Sequence, residues 1–305
     1  MGNTTSRLSR LQVWVLGAGL LVAGAPAAQA DEAAVHYNMA LQLKRQGKIP
    51  EAIGEAEKAV KLRPDYGAAH FTLGNLWRAQ GDYPKAAAAL EKTVELQPQD
   101  AAARSNLGAI YLRQKRIDDG IKQLESALDL KPDDYETLVS LGFAYRQKGD
   151  VMKAVGYLTK ATELRPKEAT AWNNLGVVLA RTDEKERAIT AFKKALEIEP
   201  SNADYHFSLA TTYRRQRRTE EAIAAYQAAL SHNPRLPGAY YDLGILYSQN
   251  KQPEQALEAF RSYLKHAGNA DAASRKDAEE RLKSLEDAPK APAGASKVPK
   301  KKSAP

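Results

Sequence analysis

The side chains best suited to chemistry in this chain are cations, aromatics and amides that return at a near-constant interval. Lys44-Arg45, Arg78, Arg113, Arg146, Arg181 and Arg214-Arg215 follow one another 33–35 residues apart. Tyr37, Phe71, Asn173, Phe207 and Tyr241 are separated by multiples of 34, as are Asn75 and Phe143. A guanidinium offers a planar fork of donors that matches a carboxylate. An aromatic ring offers a flat apolar face to an extended peptide or a sugar. Together they suit an extended, acidic ligand. Cations near a helix C-terminus also complement its dipole, so each arginine has a structural reading too.

Bond-making chemistry has no comparable support. The chain has no cysteine, which excludes disulfides, thiolate metal sites and thioether-attached haem. His36, His70 and His206 share one position of the interval, which Trp172 and Tyr240 fill elsewhere. They are therefore expected to pack between helices. No two histidines stand three or four residues apart, the spacing of two metal ligands on one helical face. The chain lacks a Gly-x-Ser-x-Gly elbow, a phosphate loop, a dinucleotide fingerprint and a His-Glu-x-x-His helix. Glu55, Glu57, Glu125, Glu163 and Glu197 read as a solvated charged face. The expectation is a protein that is not an enzyme, with no cofactor and no metal.

The elements that position these residues follow from the same period. Pro64, Pro98, Pro132, Pro166, Pro200 and Pro234 recur every 34 residues. A period of this length marks a helix–turn–helix repeat. Within it come Leu-Gly pairs such as Leu73-Gly74, Leu107-Gly108, Leu141-Gly142, Leu175-Gly176 and Leu243-Gly244. A second small position holds Ala52, Ala86, Gly120, Ala154, Ala188, Ala222 and Ala256. Spacings of three and four keep the apolar residues on one helical face. Small residues let two helices approach closely. The phased prolines stop each second helix, whereas Pro50 and Pro84 open second helices, where a missing N–H costs little.

These residues resemble the tetratricopeptide repeat family. Seven repeats are expected, at 33–66, 67–100, 101–134, 135–168, 169–202, 203–236 and 237–270. A capping helix over 271–286 would turn Leu282 and Leu285 toward the array, since the last repeat has no neighbour. The resemblance implies an all-α solenoid, a right-handed superhelix of helical hairpins whose first helices line a concave groove. Carried over by position, the groove residues are Tyr37, Lys44, Arg45, Phe71, Asn75, Arg78, Arg113, Phe143, Arg146, Asn173, Arg181, Phe207, Arg214, Arg215 and Tyr241. Asn106 and Asn174 are further amides of the same helices. The ligand so implied is a protein or peptide, acidic or bearing a free carboxylate.

The ends carry different information. Arg7 and Arg10, the apolar run Leu11 to Ala23, and Ala28-Gln29-Ala30 read as a secretory signal peptide over 1–30, cleaved before Asp31. Residues 287–305 form a basic Pro/Ala/Lys tail expected to be disordered. The net charge of +8 resides largely in these two ends, so the repeats carry no nucleic-acid footprint. The expectation is an exported scaffold, periplasmic or secreted, with no membrane span after cleavage. The alternative is an accessory of polysaccharide export or another secretion system that binds an acidic glycan.

Overall fold

A computed structural model describes residues 12–268 and 272–287, with backbone alone for 12–28. Most of the expected signal peptide and nearly all of the basic tail therefore lie outside the described residues or their side chains. The described residues form helices and turns with no strand. None of these helices is long and apolar enough to cross a membrane.

The chain divides into two compact units, residues 1–166 and 167–305. The first unit contains four hairpins. They are α1 (Gln12–Arg45) with α2 (Ile49–Leu62), α3 (Gly67–Gln80) with α4 (Tyr83–Leu96), α5 (Ala101–Arg113) with α6 (Ile117–Leu130), and α7 (Tyr135–Lys148) with α8 (Val151–Leu164). Helices α2, α4 and α6 also pack on the first helix of the next hairpin, which is the connectivity of a solenoid. Helix α1 runs unbroken through Ala30 and Asp31, so the expected cleavage site lies within a helix of the uncleaved chain.

The second unit contains α9 (Ala169–Leu179) with α10 (Lys185–Ile198), α11 (Ala203–Arg215) with α12 (Thr219–His232), and α13 (Pro237–Gln249) with α14 (Pro253–His266). A last helix, α15 (Ala272–Glu286), packs on α14. It buries Ala278 and packs Leu282 and Leu285 on the cluster that holds Phe260 and Tyr263.

Local chemistry explains the boundaries. Asp82, Asp100, Asp134 and Asp150 each accept a backbone N–H at the start of a helix, and Asn202 does so for α11. Inside six of the seven hairpins one turn residue is left-handed. Gly47, Gly81 and Gly149 fill it in three repeats, but Lys115, Arg217 and Lys251 adopt positive φ there in three others, at a steric cost that glycine avoids.

The Leu-Gly position is an interhelical contact. A Cβ on Gly108 would stand 2.6 Å from Leu124 Cγ and 2.9 Å from the Gly120 carbonyl. On Gly176 it would stand 2.7 Å from the Phe192 ring. Ala86, Ala154, Ala188, Ala222 and Ala256 are fully buried opposite. Such contacts hold the helices close enough for Leu90, Leu124, Leu158, Phe192, Tyr226 and Phe260 to fill the core completely.

Candidate partner-binding face

In the first unit the expected binding residues lie along α1, α3, α5 and α7. Lys44 and Arg45 are exposed on the last turn of α1, and Arg78 and Arg113 on those of α3 and α5. Among the described residues no acid engages Arg78 or Arg113. Arg146 sits 5.0 Å from the centroid of Phe143, which is 38% exposed. These two make a basic–apolar pair on the surface of α7. Tyr37 is turned inward, 5.0 Å from the Tyr66 ring that Arg63 covers.

The amides behave differently from the expectation. Asn106 Nδ2 donates to Asn75 Oδ1 at 3.0 Å, and Asn75 Nδ2 donates to the Phe71 carbonyl. Asn75 thus joins α3 to α5, and its oxygen is already occupied. Ser105 and Thr137 hydroxyls meet at 2.8 Å and join α5 to α7. The polar contacts on this stripe brace first helices against each other.

In the second unit three of the expected residues, Arg181, Phe207 and Arg215, line a cleft. The cleft, of about 210 Å³, lies between α9 and α11. Val177, Ala180, Phe192 and Phe207 give it apolar walls, Ser208, Thr211 and Thr212 add hydroxyls, and Arg181 and Arg215 stand at one end. Phe207 is held edge-on against Tyr226 at 5.5 Å. Both arginines are exposed and engage no acid among the described residues. Asn173 lies one turn before Val177, with its Oδ1 buried and without a hydrogen-bond partner among the described residues.

Two expected binding residues have other duties here. Arg214 Nε stands 3.5 Å from Asp242 Oδ2, within an ion pair. The same carboxylate accepts a 2.6 Å hydrogen bond from the Tyr226 hydroxyl, which also meets Thr211 Oγ1 at 3.1 Å. Burial foremost, then the Asp242 charge, raises the Tyr226 pKa well above the ordinary phenol value. Tyr241 donates to Asp277 of α15 at 2.6 Å, and Arg281 braces that carboxylate. Its ring packs against Phe260 and Tyr263, so Tyr241 anchors the cap.

Asp242 escaped the sequence reading, although a signal was present. It is the only acid at its position of the period; the others are Asn38, Thr72, Asn106, Ser140, Asn174 and Ser208. Glu55 and Glu125 were expected in solvent, but Glu55 bonds His36 Nδ1 at 2.5 Å and Glu125 accepts from the Tyr145 hydroxyl. The histidines also do more than pack. His70 and His206 Nε2 lie 2.9 Å from the carbonyls of Pro64 and Pro200. Arg104, at the same position of its repeat, donates to the Pro98 carbonyl. A donor here satisfies a carbonyl left open where the proline ends the helix. The described residues contain no group of three or more His, Cys, Asp or Glu able to hold a metal.

Comparison with known proteins agrees with this architecture. One tetratricopeptide repeat model matches residues 37–101, 78–135 and 140–203; a second matches 209–283 and a third 191–224. The chain belongs to the tetratricopeptide repeat family. No curated protein matches it. Among solved structures, MamA (residues 41 to the end) from Desulfovibrio magneticus RS-1 is 26% identical, with a TM-score of 0.54 over 56% of this chain and 97% of that one. YrrB, a repeat protein with an unusual peptide-binding site, is 22% identical, with a TM-score of 0.51 over 59% and 92%. A repeat protein from Parabacteroides merdae is 16% identical, with a TM-score of 0.63 over 84% and 99%. The last two likenesses concern the fold alone.

Proposed function

We propose that this protein is an exported scaffold that binds an extended, acidic segment of a partner protein along its first helices, as an assembly or adaptor factor of the cell envelope. The observation that carries the reading is the return of an exposed cation at the end of successive first helices. Arg116, Arg165, Arg187 and Arg218 lie in turns and second-helix starts, and each is bound to an acid. Arg78, Arg113, Arg181 and Arg215, on the last turns of first helices or just after them, engage no acid among the described residues. Cations left unpaired beside apolar surface favour an anionic partner. The family model supports protein binding as the class of function. Export rests on the amino-terminal residues alone.

Affinity capture from an envelope extract with residues 31–305 tests this. The paired substitutions Arg78→Glu with Arg113→Glu, and Arg181→Glu with Arg215→Glu, should each weaken capture and leave thermal unfolding nearly unchanged. Capture should also fall with added salt, because screening weakens charge-assisted contacts. If replacing Lys300, Lys301 and Lys302 by Gln abolishes capture and the arginine changes do not, the function lies in the tail.

A further inference from the structure

The cleft between α9 and α11 permits a narrower statement, which rests on the protein-binding reading above. Its apolar part, around Val177 and Phe207, and its cationic part, Arg181 and Arg215, lie along the helix axes. Val177 and Arg181 are separated by four residues, about 6 Å along a helix. Phe207 and Arg215 are eight residues apart, about 12 Å along α11, with Thr211 midway between them. An extended peptide rises about 3.3 Å per residue, and its alternate side chains share a face. A side chain beside Val177 therefore has its second neighbour, not its first, level with Arg181, whereas Phe207 lies two turns, about 12 Å, from Arg215. The hydroxyls of Ser208 and Thr211 lie between these parts and can meet the peptide backbone. On the other side of α11, Asp242 neutralises Arg214, which leaves Arg181 and Arg215 as the open cations of this cleft.

We infer that the cleft selects a three-residue pattern in its partner: a branched aliphatic or aromatic residue, any residue, then Asp or Glu. The apolar side chain sits against Val177, on the wall that Phe207 shares, and the carboxylate meets Arg181, with Arg215 as a second cation of the same cleft.

The test uses residues 31–305 and short fluorescent Gly/Ser peptides with a central Leu-Ala-Glu, Leu-Ala-Gln, Ala-Ala-Glu or Leu-Glu-Ala. In an anisotropy titration, Leu-Ala-Glu should bind at least about tenfold more tightly than each of the others. The double variant Arg181→Gln with Arg215→Gln should lower the affinity for Leu-Ala-Glu to that of Leu-Ala-Gln, and should bind Leu-Ala-Gln as the parent does. Equal binding of Leu-Glu-Ala overturns the spacing, and equal binding of Ala-Ala-Glu overturns the apolar half. No saturable binding of Leu-Ala-Glu up to about 1 mM overturns the proposal. The broader reading fails separately. If the Arg78/Arg113 variant loses envelope capture and the Arg181/Arg215 variant does not, the protein binds partners through its first unit and this cleft is not used.

Discussion

Single residues in this protein serve helix packing first and leave binding to whatever remains. Tyr111 shows the pattern. Its ring is buried, Arg116 lies 3.9 Å from the ring centroid, and its hydroxyl donates to Glu91 at 2.7 Å. Tyr145 repeats the arrangement with Glu125 and Lys153. Burial, and then the carboxylate that accepts each proton, push both pKa values up to about 12. An unfolded tyrosine ionises near 10. A raised folded pKa favours the neutral phenol, so the stability these bonds contribute is complete below about pH 10 and is lost as pH rises through about 12. Urea midpoints measured across that window should fall steeply for the parent. They should fall less for Tyr111→Phe with Tyr145→Phe, which has no phenol to ionise at either place. Parallel profiles would mean that these tyrosines do not set the alkaline limit.

At the scale of the element, hairpin geometry depends on two positions that are easily tested. Gly108 lies where α5 crosses α6, and one of the atoms nearest an added Cβ is a backbone carbonyl that cannot rotate away. Gly108→Ala should therefore destabilise by roughly 1–3 kcal/mol through overpacking, seen as a lower urea midpoint at unchanged slope. The turn offers the opposite case. Lys115 holds φ at 63°, where glycine is at ease and an L-residue is not. Lys115→Gly should stabilise by roughly 0.5–1 kcal/mol, the left-handed strain relieved less the added chain entropy. A loss of stability would show that the lysine side chain contributes more than its backbone costs.

At the scale of the whole molecule, a repeat array is limited by its ends. The exposed outer face of the last hairpin would be apolar, with Phe260, Tyr263 and Leu264, if α15 did not cover it. Ending the chain at residue 270 removes that cover and the Tyr241–Asp277 bond. Amide exchange in α13 and α14 should then quicken more than in α11, because local unfolding begins where fewest neighbours remain. A uniform change across the second unit would indicate one cooperative block instead. At the other end, sequencing of the native protein should find Asp31 as its first residue; intact Met1 would refute cleavage.

The helices were legible in the sequence because they follow from local rules repeated many times. A proline every 34 residues and a small residue at each helix crossing return at fixed places in the period, so a linear reading finds them. The aromatic and basic stripe was legible for the same reason, as a position in the period. Which members of that stripe stay free was not. Arg214 and Arg215 are neighbours with the same charge, yet one is bound to Asp242 from a different hairpin and the other stands open beside the Phe207 cleft. Asn75 and Tyr241 likewise face partners 31 and 36 residues away. Pairing between hairpins depends on how the helices approach in space. Only the tertiary structure therefore separates the side chains that brace the fold from those left for a partner.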